Sequence, residues 1–173
     1  MKKFTISFLT FAGALCYAQN HFSAGAYIGI PVMDTSESAS LNIGAQFSYL
    51  RDLTPNFKLG ASIGYSHYFI KAVVTDTGFF PFAAKAQYVF PNSKFMADLD
   101  LGYGIFNDPG ISGGLYAFPK IGYKIGKSEI TLGFQMINSK YKFDYYDAEG
   151  IIHAKNSSYN VGSINVGYNF YFK

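Results

Sequence analysis

The final nine residues read N-V-G-Y-N-F-Y-F-K, which sets Val166, Tyr168, Phe170 and Phe172 on one face of an extended strand and Asn165, Gly167, Asn169 and Tyr171 on the other. This two-residue period recurs along nearly the whole chain, and it constrains the fold more than any other feature. A period of two belongs to strands and not to helices, whose faces repeat every 3.6 residues. Past residue 18 no stretch of the sequence reaches the ~18 consecutive apolar residues that a transmembrane helix needs. The chain is therefore read as all-β, with one face of each strand seeking an apolar environment.

The start of the chain is of a different kind. Lys2 and Lys3 precede an apolar run over residues 4–15, and Cys16-Tyr17-Ala18 supplies the small-residue end that a signal peptidase cuts. Residues 1–18 read as a signal peptide, with cleavage between Ala18 and Gln19 and a barrel over residues 19–173. Leu15 stands before Cys16, where a lipoprotein signal carries a small residue, so the chain's one cysteine leaves with the signal. No disulfide framework or thiolate metal site is then available, and no cofactor motif is present. Loss of Lys2 and Lys3 takes the formal charge from +3 to +1, which removes the argument for nucleic acid as a partner. Charged residues make up 14% of the chain and aromatic residues 19%, against about 25% charged in soluble domains. In a bilayer, strands must close into a barrel to satisfy every backbone group.

Eight alternating segments can be marked, at 22–30, 41–49, 57–65, 80–90, 95–103, 115–125, 129–136 and 164–172. No outward position in these rows is charged, while Lys58, Lys85, Asp98, Asp100, Lys120, Lys124 and Glu129 all share the other face. A lipid-facing Lys or Arg at mid-bilayer costs ~2–4 kcal/mol, which explains the exclusion. Connections 51–56, 91–94 and 126–127 are short, and 31–40, 68–79, 106–114 and 145–156 are longer. Strict alternation of short and long predicts an eight-stranded antiparallel up-and-down transmembrane barrel, with short periplasmic turns, longer extracellular loops and both chain ends in the periplasm. Placing turns at Asn92-Ser93 and Gly126-Lys127 sets Lys85 opposite Asp100 and Lys124 opposite Glu129, as interior charge pairs. It also sets Phe90 opposite Phe95 and Tyr123 opposite Ile130 outside. Phe22, Tyr49, Phe57, Tyr88, Phe90, Phe95, Tyr123 and Phe172 gather near one level, as an aromatic girdle does at a lipid interface.

On this architecture and the terminal Tyr168, Phe170, Phe172 pattern, the chain resembles the small eight-stranded outer-membrane barrels of the OmpX-like kind and the membrane domain of OmpA-like proteins. The resemblance implies residence in the outer membrane of a Gram-negative bacterium, contact with lipid and lipopolysaccharide, and delivery by the outer-membrane insertion machinery. It also implies that Tyr168, Phe170 and Phe172 act as the insertion signal, although Lys173 follows the aromatic residue on which that signal usually ends.

An eight-stranded barrel is just wide enough for its own side chains, so a packed polar interior is expected in place of a pore. The His21-Phe22-Ser23 triplet resembles the H-x-S arrangement of outer-membrane lipid A deacylases. In the predicted topology, however, His21 lies at the periplasmic end with no acidic residue on its row, and His67 and Ser66 point to opposite faces. No catalytic residue is assigned. A turn at Ala148-Glu149-Gly150 lets the seventh and eighth strands run on as one ribbon, with the seventh about 19 residues long, nearly twice the ~9–11 that cross a bilayer. Its Tyr141, Phe143 and Tyr145 on one face, and Lys140 and Lys142 on the other, are candidate contacts for a surface protein or for lipopolysaccharide phosphates. The reading is a non-enzymatic outer-membrane barrel with a structural, adhesive or recognition role. Its alternatives are a lipid-modifying enzyme on the same barrel, or a soluble lipocalin-like barrel whose apolar rows face inward around a ligand.

Overall fold

The computed structural model describes residues 20–71, 77–108, 111–146 and 152–172, with side chains described for all of these but 141–146 and 152–157. The signal segment and its Ala18/Gln19 junction lie outside the described residues, as does the turn at 148–150. Eight strands follow one another: β1 (Asn20–Met33), β2 (Ala39–Asp52), β3 (Phe57–Ile70), β4 (Thr77–Val89), β5 (Phe95–Phe106), β6 (Gly114–Ile125), β7 (Ser128–Tyr146) and β8 (Ile152–Phe172). Each pairs antiparallel with its chain neighbours, and β8 returns to β1 to close the barrel, with Phe22 opposite Phe172 and Met33 opposite Val161.

The turns set the register. Asn92 takes a left-handed conformation at φ 56° and Gly126 at φ 62°, which lets the chain reverse within a few residues. Lys85 then faces Asp100, and Lys124 faces Glu129 with Tyr123 opposite Ile130. Phe90 donates its backbone N–H to the Phe95 carbonyl at 3.1 Å, which continues the β4–β5 ladder into the turn.

Strands run further than the alternation suggests. β1 continues to Met33, β3 continues to Ile70 and β4 begins at Thr77, so the connections at that end shrink to residues 34–38, 71–76, 107–113 and 147–151. Those at the end where β1 begins and β8 finishes, the terminal end, are 53–56, 90–94 and 126–127, so the contrast between short and long is weaker than the sequence implies. The reason is physical. Backbone groups go on pairing beyond the apolar stretch, but the apolar-polar contrast that marks a strand in sequence has faded there.

Orientation of the rows is unambiguous. Ile28, Ile30, Leu115, Ile121, Leu132 and Val166 are each more than half exposed. Their inward neighbours Gln46, Lys85, Asp100, Lys120, Glu129 and Gln135 are buried. This is the reverse of a soluble ligand-binding barrel, which keeps its apolar face inside. Ala117 departs from its row by being buried. Toward the terminal end the exposed aromatics meet in pairs across strands, with ring centroids at 5.1 Å for Phe22 and Tyr49 and 5.2 Å for Phe95 and Tyr123.

Candidate functional site

The interior is stacked in layers between two dissimilar ends. Behind Gln87 and Tyr171, which face the terminal end, alternation on β4, β5 and β6 brings Lys85, Asp98, Asp100 and Lys120 to one level. The Lys85 ammonium lies 2.9 Å from Asp98 and 3.5 Å from Asp100, and Lys120 pairs with the other oxygen of Asp100. Gln46 from β2 and Ser62 from β3 donate to the same Asp100 carboxylate at 3.2 and 3.1 Å. Lys120 also donates to the Gln46 carbonyl oxygen at 3.1 Å and sits 4.4 Å from the centre of the Phe118 ring. Buried charges persist when they are paired and hydrogen-bonded; Asp100 meets both conditions, whereas Asp98 is held by its ion pair with Lys85 and accepts no further hydrogen bond from the described residues.

The two expected interior pairs fare differently. Lys85 reaches Asp100, but it lies nearer to Asp98, and Lys120 is the closer partner of Asp100. Lys124 and Glu129 stand opposite in register, yet Lys124 is exposed while Glu129 is buried and accepts a hydrogen bond from Tyr171. This corrects the expected Lys124–Glu129 pair. Lys124 is two residues from the Gly126 turn, where a long side chain reaches water, while a short Glu129 side chain stays in the barrel under the Tyr171 phenol.

Above the ion cluster Gln135 from β7 acts as a hub. Its amide nitrogen donates to Tyr27 at 2.9 Å and Tyr116 at 3.3 Å, and its carbonyl oxygen accepts from Ser66 at 3.0 Å and Tyr68 at 3.4 Å. Tyr68 also donates to Ser163, which accepts from Asn165. The far end is closed by apolar side chains: Phe79, Phe106, Ile137, Val161 and Ala39 form one buried cluster with Tyr68 and Tyr116. The terminal end is open instead, onto a cleft of about 570 Å³ lined by His21, Lys58, Lys124 and Lys127 over Gln87, Met96 and Tyr171.

Inward alternation marks Gln46 and Gln135 as interior residues, but nothing in the sequence singles them out as hubs. Likewise Asp52, placed in a turn by the sequence reading, ends β2 and lies 3.0 Å from His21 and 3.4 Å from Lys58. His21 thus has an acidic partner after all. Ser23 is buried, whereas His67 lies on the outer face with the Tyr65 hydroxyl 3.3 Å from its Nδ1. Ser66 is buried inside, hydrogen-bonded to Gln135. Among the described residues no group of acidic, histidine or cysteine side chains is arranged to hold a metal ion.

Beyond Asn138 and Val161, β7 and β8 pair only with each other as strands, up to Tyr146 opposite Ile152. β7 has 19 residues and β8 has 21. The base of this ribbon is tied down: Ser112 donates its N–H to the Lys140 carbonyl at 3.2 Å, and Asn160 donates its N–H to Asp34 at 2.8 Å. Lys140 is exposed there, while the side chains of Tyr141, Lys142, Phe143 and Tyr145 lie outside the described residues. At the other end of β8, Tyr168, Phe170 and Phe172 are all exposed on the outer face.

No protein family matches the sequence, and no curated protein sequence matches it. Solved structures do match in shape. Neisserial surface protein A is 14% identical, with 90% of this chain and 99% of that one covered at a TM-score of 0.51. The outer membrane enzyme PagL is 13% identical, with 86% and 98% covered at 0.58. The outer membrane protein OprG from Pseudomonas aeruginosa is 15% identical, with 87% and 95% covered at 0.50. At such identities the likeness concerns the path of the backbone. The chain has the fold of the small eight-stranded outer-membrane β-barrels.

Proposed function

We propose that the chain is a non-enzymatic integral protein of a Gram-negative outer membrane, with both chain ends in the periplasm and the β7–β8 ribbon offered at the cell surface for recognition or adhesion. The observation that carries this reading is the uncharged belt of exposed Ile, Leu, Val, Phe and Tyr side chains around a barrel that holds Lys85, Asp98, Asp100 and Lys120 paired inside. Exposing one large apolar side chain to water costs roughly 1.5–3 kcal/mol relative to burying it, so a belt of this extent needs hydrocarbon around it. Lipid and lipopolysaccharide are the partners of the belt, and Tyr168, Phe170 and Phe172 are the residues the insertion machinery reads.

A ribbon with open edges offers backbone donors and acceptors to a partner strand. Lys140 and Lys142 add ammonium groups suited to lipopolysaccharide phosphates. The non-enzymatic reading draws on Ser66, whose burial inside the barrel separates its hydroxyl from the outward His67. Two measurements test the proposal. Electrophoresis of unheated and heated protein in detergent, with membrane fractionation, should show a folded band of altered mobility in the outer-membrane fraction. Replacing residues 141–157 by Asn-Gly should abolish surface binding or adhesion while leaving that mobility shift; unchanged adhesion would remove the ribbon's role, and a protein found outside the membrane would remove the whole reading.

A further inference from the structure

We infer that the cleft at the terminal end of the barrel is a binding site for a phosphoryl anion. Its lining holds Lys58, Lys124 and Lys127, with His21 beside them, and no Asp or Glu among its described lining residues. Asp52, at the end of β2, is already engaged by His21 and Lys58. Glu129 is withdrawn beneath the floor, covered by the Tyr171 hydroxyl, so the strand partner that would neutralise Lys124 does not reach it. Lys124 and Lys127 therefore line a concave space of about 570 Å³ with no carboxylate paired to them among the described residues. A cleft with one sign of charge and low-dielectric walls concentrates the field on whatever enters it.

The lining donors also indicate the ligand. All the strong cations here are ammonium groups, which act as point charges and suit the tetrahedral oxygens of a phosphoryl group, whereas planar carboxylates are best matched by an Arg fork. Asn20 and Gln87 add neutral polar groups to the wall, and Val89, Met96 and Phe172 give it an apolar side. That combination fits either a free phosphate or a phospholipid headgroup with the start of its chains.

The test uses the folded full-length barrel in phosphatidylcholine nanodiscs, with calorimetric titration of pyrophosphate. Saturable binding to one site is expected, weakened about tenfold or more in the Lys124→Gln, Lys127→Gln double variant and unchanged in Lys94→Gln, whose side chain does not line the cleft. Soluble dihexanoyl phosphatidic acid is the second probe: tighter binding than pyrophosphate assigns the site to a headgroup, and weaker binding assigns it to free phosphate. The inference is overturned if pyrophosphate does not saturate, if the double variant binds as well as the parent, or if malonate binds as tightly as pyrophosphate.

Discussion

Asp100 joins more of the barrel than any neighbouring position on β5. Its carboxylate is shared by Lys120 of β6, Lys85 of β4, Gln46 of β2 and Ser62 of β3, so one side chain ties five strands across the interior. Asp100→Ala leaves Lys120 without its carboxylate and should cost about 3–5 kcal/mol, the range for breaking one side of a buried pair. Lys124→Ala, at an exposed position, should change stability by less than about 0.5 kcal/mol. Urea unfolding from lipid vesicles compares the two directly, and equal midpoints would show that the cluster holds nothing together. A second residue-scale case is Gly44, where a Cβ would stand 2.2 Å from the Tyr27 ring. Gly44→Ala must push that ring off its contact with Gln135 and should cost ~1–3 kcal/mol as overpacking. In a Tyr27→Ala background the penalty should largely vanish, since the three atoms nearest the added Cβ all belong to Tyr27; an undiminished penalty would assign it to the backbone.

Among the elements, the β7–β8 ribbon is the one whose stability is separable from the barrel. Past Asn138 and Val161 its strands have no other strand beside them, and an isolated two-stranded hairpin is marginal in water. Replacing residues 141–157 by Asn-Gly joins Lys140 and Ser158, which already stand opposite each other. The shortened protein should fold with an unheated-band shift and urea midpoint close to the parent's; loss of folding would mean that the ribbon nucleates closure. The ribbon's 19-residue strand was legible in the sequence because polar and aromatic residues keep alternating after Met136. Strand count, outward rows and the Lys85–Asp100 register were legible for a similar reason, since a tight turn fixes which residues face each other. Lys120's place in the ion cluster was not, because β5 and β6 are joined across residues 107–113, where spacing does not set register. The loss of the Lys124–Glu129 contact was equally invisible, since register sets Lys124 opposite Glu129 but does not say that the Tyr171 hydroxyl, and not the Lys124 ammonium, reaches the carboxylate.

At the scale of the whole molecule the two ends are chemically opposed, and this decides whether the barrel conducts. An ion entering the cationic cleft meets Tyr171 and Gln87 at its floor, then the Lys85, Asp98, Asp100, Lys120 cluster, then the Gln135 hub. Beyond these lies the closed apolar cap, where Phe79 packs against Phe106 and Tyr116 with centroids at 5.3 and 6.0 Å. Passing the cap would strip an ion of water without offering it a partner, a cost of several kcal/mol even after relaxation. The reconstituted protein should therefore show no steady conductance steps in a planar bilayer. Phe79→Ala should lower stability by about 3–5 kcal/mol through the cavity it opens, yet still give no steps, because the ion cluster below blocks the same axis. Steady steps in the parent protein would overturn the packed interior. Steps in Phe79→Ala alone would place the barrier in the aromatic cap and leave the charged layers as a permeable lining.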